Sequence, residues 1–305
     1  MLLGVVLTTY YFGLWLGREN VESRKKRILL LGVGINLALL VLMRYLPFAV
    51  ENLRLLLRPL IGTVSVPMPR VLSSIGMSFY TFQALSYSND IYREIQIPEA
   101  HLGRFALYVC FFPKLLQGPI ERAGGLLIQL RKPFEFDYEN TREGLLRIAW
   151  GLFKKVVIAD RVAVIVNTVY GNAGGFTGLP LIVATYSYAI QIYTDFSGYT
   201  DIALGTARLF NIRLTENFNK PYFAQGVADF WRRWHISLSS WLLDYIFRPL
   251  QWRWRDLRLA GPFMALLVTF LVSGAWHGAS WNFILWGLLH GLFIAAGESV
   301  DKYRK

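Results

Sequence analysis

The sequence predicts an all-α polytopic membrane protein, and three observations predict it. Six apolar stretches punctuate the chain, at residues 2–16, 28–43, 105–113, 179–192, 263–275 and 281–296. A spanning helix needs roughly 20 mostly apolar residues, a length most of these reach with their flanking Tyr, Trp, Gly, Ser and Thr. Next, 54% of residues are hydrophobic and only 17% charged, against about 25% charged in soluble domains. Finally, the formal charge of +12 comes from short clusters beside the apolar runs, such as Arg24-Lys25-Lys26-Arg27 and Lys154-Lys155. That pattern fits membrane edges and anionic headgroups, and no nucleic-acid partner. Cys110 is the sole cysteine, so no intrachain disulfide or cysteine metal site is possible.

Residues 1–17 read as a spanning helix. The basic cluster follows this apolar run instead of preceding it, which is not the pattern of a secretory signal. The segment 18–27 puts the helix end on the cytoplasmic side, and 28–47 returns across. Residues 53–60, short and carrying Arg54 and Arg58, read as interfacial; 64–69, with two prolines, as a loop. The stretch 73–91 mixes aromatic residues with Ser, Thr, Gln and Asp90, which predicts a helix facing protein or a cavity on one side. Residues 105–116 are apolar until Gln117-Gly118-Pro119 ends any helix. The polar stretch 121–142 reads as a surface loop, 144–169 as a tilted or partly buried helix, and 181–210 as a helix pair or one long helix. Asp229 is placed to cap a helix over 230–247. Its apolar face is Trp234, Leu238, Trp241 and Tyr245, and it reads as interfacial or re-entrant. No repeat interrupts a single domain over 1–305.

The ionisable residues inside apolar sequence are the chemical candidates. His277 follows an uncharged run of thirteen residues. Imidazole has an ordinary pKa near 6.5, and burial keeps it neutral, so it can take a hydroxyl proton as a general base. Gly278 and Ala279 would leave room for a substrate, and on a continuous helix Trp281 would flank the ring. Packing between helices is the other role open to it. His235, in Trp231-Arg-Arg-Trp-His235, fits an aromatic belt or a site where Arg232 and Arg233 meet a phosphate-bearing thioester. His290, thirteen residues beyond His277, would lie on a different face of a continuous helix and reads as structural. Asp195 and Asp201 fit a cavity wall, an ion path, or pairing with cations such as Lys114 or Arg161. No histidine spacing suits a metal, and no nucleophile elbow, phosphate loop or dinucleotide fingerprint is present.

Five stretches in order carry a family resemblance. They are Ile75-Gly-Met-Ser-Phe-Tyr-Thr-Phe-Gln83 with Asp90-Ile-Tyr-Arg93; Phe111-Phe-Pro-Lys-Leu-Leu-Gln-Gly-Pro-Ile120; and Asp195-Phe-Ser-Gly-Tyr-Thr-Asp-Ile-Ala203 through Glu216-Asn-Phe-Asn219. Asp229-Phe-Trp-Arg-Arg-Trp-His-Ile-Ser-Leu-Ser239 and Ser273-Gly-Ala-Trp-His-Gly-Ala-Ser-Trp-Asn282, continuing to Leu285-Trp-Gly-Leu-Leu-His-Gly291, complete the set. Together they resemble the bacterial branch of the membrane-bound O-acyltransferase family, nearer its alginate-acetylation type than its D-alanylation type.

The resemblance implies a bundle of transmembrane and re-entrant helices around a tunnel, in the bacterial inner membrane. It implies that His277 and His235 are the catalytic pair. It also implies a cytoplasmic acyl thioester, acetyl-CoA or an acyl-carrier protein, as co-substrate, with no bound cofactor. The acceptor would be a hydroxyl of an exported polysaccharide or a partner protein, with an SGNH-type periplasmic partner; D-alanyl transfer to teichoic acid is the alternative reaction. Arg232, Arg233, Trp276, Asn282 and Asp195 are the candidate substrate and donor contacts, and Asn282 or the Trp281 N–H the candidate oxyanion donors. Family members usually carry further helices before and after the matched region, so the resemblance implies a fragment, a misplaced start or a compact variant. A conduit or transporter built around Asp195, or an assembly scaffold, are the rival classes.

Overall fold

The computed structural model describes residues 1–61, 76–258 and 260–304. The expected loop at 64–69 lies outside them. The described residues are helical without a strand, apart from one antiparallel bridge between Phe218 and Trp234. The chain opens with α1 (Leu2–Arg18), α2 (Glu22–Arg44) and α3 (Leu46–Ile61). The basic cluster Arg24-Lys25-Lys26-Arg27 thus lies within the first two turns of α2. Pro47 falls in the first turn of α3, where a missing N–H costs nothing, so the expected interfacial piece at 53–60 is the end of a longer helix.

Next come α4 (Met77–Tyr92) and α5 (Leu102–Cys110). Thirteen of the sixteen residues of α4 are buried, including Tyr80 and Tyr87. It is therefore enclosed on nearly every side, where the sequence suggested one. The apolar run 105–113 does not form a span: α5 stops at Cys110 because Pro113 cannot donate and disfavours helix before it.

The stretch read as a surface loop, 121–142, contains α6 (Ala123–Leu130) and the start of α7 (Tyr138–Leu152). Leu126 and Leu127 of α6 are fully buried. The Asp137 carboxylate caps α7 by accepting from the Asn140 N–H at 2.9 Å. A wider turn at Phe153–Ala159 joins α7 to α8 (Asp160–Gly171). The 181–210 segment is one helix, α9 (Leu179–Arg208), about 45 Å long. It packs antiparallel to α7 through facing glycines, Gly144 with Gly205 and Gly151 with Gly198. A Cβ at any of the four would meet the opposite backbone. Small residues spaced in this way let two helices approach closely.

The expected helix over 230–247 is broken. It becomes α10 (Val227–Arg233) and α11 (Ile236–Leu242), continued by a wider turn, Leu243–Phe247, and α12 (Arg248–Arg253). Asp229 lies inside α10 and does not cap it, because Gly226 occupies that position. The chain ends in a hairpin of α13 (Ala260–His277) and α14 (Trp281–Arg304). Among the described residues two helices, Glu22–Arg44 and Ala260–His277, are long and apolar enough to cross a bilayer. Large apolar side chains such as Leu30, Leu31, Leu42, Leu56 and Ile182 are exposed, in keeping with a lipid-facing surface.

The ends of the bundle differ. At one, Lys25 at the start of α2 pairs with Glu94 beyond α4 at 2.6 Å. Nearby, Glu99 is buried and accepts from Arg104 at 3.1 Å, from Arg131 at 2.8 Å and from the His101 N–H at 3.0 Å. Burial alone would raise the Glu99 carboxyl, but the bonds from Arg131 and His101 and the arginine charges outweigh it and hold it below the usual range. This loop clamp is therefore fully present above about pH 4.3, the ordinary Glu value, and is lost as pH falls through the lowered one. Melting temperatures measured in detergent are expected to drop below about pH 4. Glu99→Gln is expected to cost about 2 kcal/mol at neutral pH and to flatten that acid limb.

Candidate active site

At the other end of the bundle lies a cavity of 850 Å³, lined among others by Arg44, Ser78, Phe79, Gln117, Asp195, Tyr199, His235, Trp276 and His277. Both sequence-predicted histidines reach it, from different elements.

His235 occupies the break between α10 and α11, with φ 45° and ψ 54°. A non-glycine residue in this left-handed region stores about 1 kcal/mol or more of strain and persists only where its surroundings impose it. They do so through the segment Glu216–Asn219. The buried Asn217 side-chain oxygen accepts from the Ser237 N–H at 3.1 Å and its hydroxyl at 2.9 Å. The Asn217 carbonyl accepts from Ile236, and Asn219 donates to the Arg233 carbonyl. The ring, 1% exposed, sits edge-on to Phe196 at 4.8 Å and 5.8 Å from Trp276. Neither ring nitrogen has a hydrogen-bond partner. A buried polar ring left so is a costly arrangement in a purely structural role.

His277 is the last residue of α13, and its Nε2 is likewise buried without a partner. Its ring is held by Trp276 at 5.0 Å and Trp286 at 4.9 Å. The backbone beneath is fixed from α2, whose Arg44 donates to the His277 carbonyl at 2.6 Å and also bonds Ser78 Oγ. The Tyr45 hydroxyl donates to the Ala275 carbonyl at 2.5 Å. Two carbonyls that a helix C-terminus leaves open are thus capped, one by a cation suited to that end. Arg44 closes the apolar run 28–43, where a lone arginine reads only as the end of a span.

Several expectations are corrected. The helix does not continue past His277, so Trp281 does not flank the ring. It is exposed, with its indole N–H on Asn52 Oδ1 at 2.8 Å. Asn282 is exposed and outside the cavity, so neither it nor the Trp281 N–H is an oxyanion donor in this geometry. The space beside Gly278 holds the Phe283 ring, not room for a substrate. His290 shares the Trp286 ring with His277 because the hairpin folds back. Its Nδ1 accepts from the Trp231 indole at 3.3 Å, a structural contact. Arg232 and Arg233 do not line the cavity; both pair with Asp229, at 3.6 and 3.0 Å. Their charges and hydrogen bonds hold the Asp229 carboxyl below its usual range, the Arg233 bond most of all.

Asp195 does line the cavity, and its cation is Lys155 at 2.6 Å, not Lys114 or Arg161. Lys114 instead donates to Gln83 Oε1 at 2.8 Å, and Asp201 pairs with Arg147 and Lys154. Trp276 lines the cavity between the two histidines.

The α13–α14 hairpin that holds His277 closes on Gly274 and Gly287. A Cβ at the first would overlap the Phe283 carbonyl, and at the second the Phe270 carbonyl. Gly274→Leu is expected to cost about 2–3 kcal/mol by overpacking, read as a lowered melting temperature of the detergent-solubilised protein, whereas Gly4→Leu, with open space around it, leaves it unchanged.

A sequence profile described as the membrane-bound O-acyltransferase family matches residues 93–304. A probable alginate O-acetylase AlgI of Pseudomonas putida is 38% identical over 96% of the chain and 59% of its own length. A peptidoglycan O-acetyltransferase of Helicobacter pylori is 34% identical over 97% of the chain and 60% of its own length. A teichoic acid D-alanyltransferase of Bacillus subtilis is 29% identical over 78% of the chain and 62% of its own length. The chain thus spans about three fifths of the curated relatives it matches. With the profile covering well over half of the chain, the chain belongs to the membrane-bound O-acyltransferase family.

Proposed function

We propose that the chain carries the centre of a membrane O-acyltransferase, moving an acyl group, acetyl by its nearest resemblance, from a thioester to a hydroxyl of an exported polysaccharide. The observation that carries this reading is the pair of buried, unpartnered imidazoles, His235 and His277, on one cavity. His277 takes the proton of the acceptor hydroxyl as the oxygen attacks the thioester carbonyl. The new C–O bond forms, the C–S bond breaks, and the departing sulfur takes the proton back from His277 as the free thiol. The Arg44 guanidinium, bonded only to a hydroxyl and a carbonyl, is the cavity cation suited to the developing oxyanion. His235, held against Phe196, borders the reacting groups.

The basic end around Lys25, Arg93, Arg104 and Arg131 faces the cytoplasm by the excess of positive charge there. On that reading residues 1–305 form one multi-pass domain of the inner membrane, the thioester approaches from the basic end, and a tunnel along α4 leads to the histidines. An SGNH-type periplasmic partner would receive the acyl group on the far side. The transporter reading has less support, since Asp195 and Asp201 are both held in ion pairs.

His277→Ala is expected to lower acylation of the exported polymer about a thousandfold, at unchanged protein level in the membrane. Retention of acylation would remove the assignment. His235→Gly suits the left-handed turn and relieves its strain. It is expected to keep or raise the melting temperature while acylation falls, which separates the ring from the backbone.

A further inference from the structure

The segment that imposes the left-handed turn at His235 is itself held from outside the cavity. Arg147 of α7 lies between Gly144 and Gly151, the two glycines that seat α7 against α9. Its Nε donates to Asp201 of α9 at 3.0 Å, and Lys154 donates to the other oxygen of that carboxylate at 2.6 Å. Its two terminal nitrogens donate to the two oxygens of Glu216, each at 2.5 Å. A half-exposed ion pair contributes little by itself, but a two-pronged guanidinium grip tied into a second carboxylate fixes direction as well as distance. Glu216 adjoins Asn217, which is fully buried and bonds Ile236 and Ser237 on one side of His235, while Asn219 bonds Arg233 on the other. Between them the Phe218 ring packs on Phe196 and Trp234, each at 5.0 Å. Neither Arg147 nor Glu216 lines the histidine cavity.

We propose that Arg147 is a positioning residue for His235: its grip on Glu216 fixes the Glu216–Asn219 segment to the α7–α9 pair, and that segment aims the imidazole into the cavity. The His235 backbone is strained, so it relaxes once the segment that imposes it is free to move. A second anchor stands just before Glu216, where the Glu121 carboxylate accepts from the Thr215 N–H at 2.5 Å and from its hydroxyl at 3.2 Å. That anchor keeps the chain folded when Arg147 is replaced and confines the change to the turn. A lysine does not substitute, because one ammonium cannot hold both Glu216 oxygens and Asp201 in the planar geometry of a guanidinium. The placement of the ring is independent of any reaction, whereas its effect on activity rests on the acyl-transfer reading.

The test reads the ring directly. The detergent-solubilised chain is treated with diethyl pyrocarbonate, which modifies accessible neutral imidazoles, and the peptide carrying each histidine is followed by mass spectrometry. Arg147→Gln and Glu216→Gln are each expected to raise the modification rate of His235 about fivefold or more. His277, His290 and the exposed His101 are expected to stay within about twofold of their original rates. Combining the two substitutions is expected to add less than about twofold to either alone, since both remove one interaction. Lys154→Gln, which leaves Glu216 gripped, is expected to keep the His235 rate within about twofold, whereas Arg147→Lys raises it. An unchanged His235 rate in Arg147→Gln overturns the proposal, and so does an equal rise at His277 and His290, which would mark a general loosening of the bundle. In cells, Arg147→Gln is expected to lower polymer acylation about tenfold at unchanged protein level, and to have no further effect on top of His235→Gly. Multiplying losses in that pair overturn the proposal. If the His235 rate rises while acylation is unchanged, the positioning role stands and the place of His235 beside the reacting groups fails.

Discussion

Phe82 of α4 lies flat against Trp241 of α11, ring centroids 4.0 Å apart, and Trp276 of α13 packs on the same ring. The indole N–H groups of both tryptophans point to α4 carbonyls, Phe82 and Ser78. In a membrane protein, lipid supplies little drive for helices to associate, so close packing and satisfied polar groups carry the cohesion. This contact joins three elements far apart in sequence. It also decides where the two histidines sit. His277 follows Trp276 directly, and His235 lies about one turn ahead of Leu238 and two ahead of Trp241. Docking both tryptophans on one helix brings both imidazoles to one cavity.

The two ends of α4 differ in charge. On the histidine side the ionisable groups are sparse: Asp195 is matched by Lys155, and Arg44 is bound to neutral groups only. At the other end, Arg122 and Arg248 pair with Asp244, and Arg93 lines the same cavity. α4 itself, with Thr81, Gln83 and Ser86 buried inside it, runs as a polar spine between the two ends.

Of the five non-glycine residues with positive φ among the described residues, His235 is the one that lines the cavity. His235 adopts a left-handed backbone, which interrupts what periodicity alone reads as one helix from 230 to 247. The cost is met by the Glu216–Asn219 segment, whose Asn217 caps the start of α11. Periodicity could not reveal this, because Trp234, Leu238, Trp241 and Tyr245 keep helical spacing across the break. The partner that imposes it lies nearly twenty residues earlier in the chain.

The helical class, the helix over 181–210 (as a pair or one long element) and the two terminal hairpin helices were legible in the amino-acid sequence, as were His277 and His235 as ionisable groups in apolar surroundings. Each rests on local information: unbroken apolar runs, and ionisable residues where burial is costly. Tertiary structure decided what depends on distant partners. Arg44 and Tyr45 cap α13 across more than two hundred residues. Arg232 and Arg233 turn to Asp229, Asn282 faces outward, and Phe283 fills the space at Gly278. The polar stretch 121–142 hides α6 because Leu126 and Leu127 find their burial only against other helices. Composition and spacing determine which residues must leave water or lipid. Which groups then meet is settled by packing, since a hydrogen bond or ring contact depends on separation in space and not along the chain.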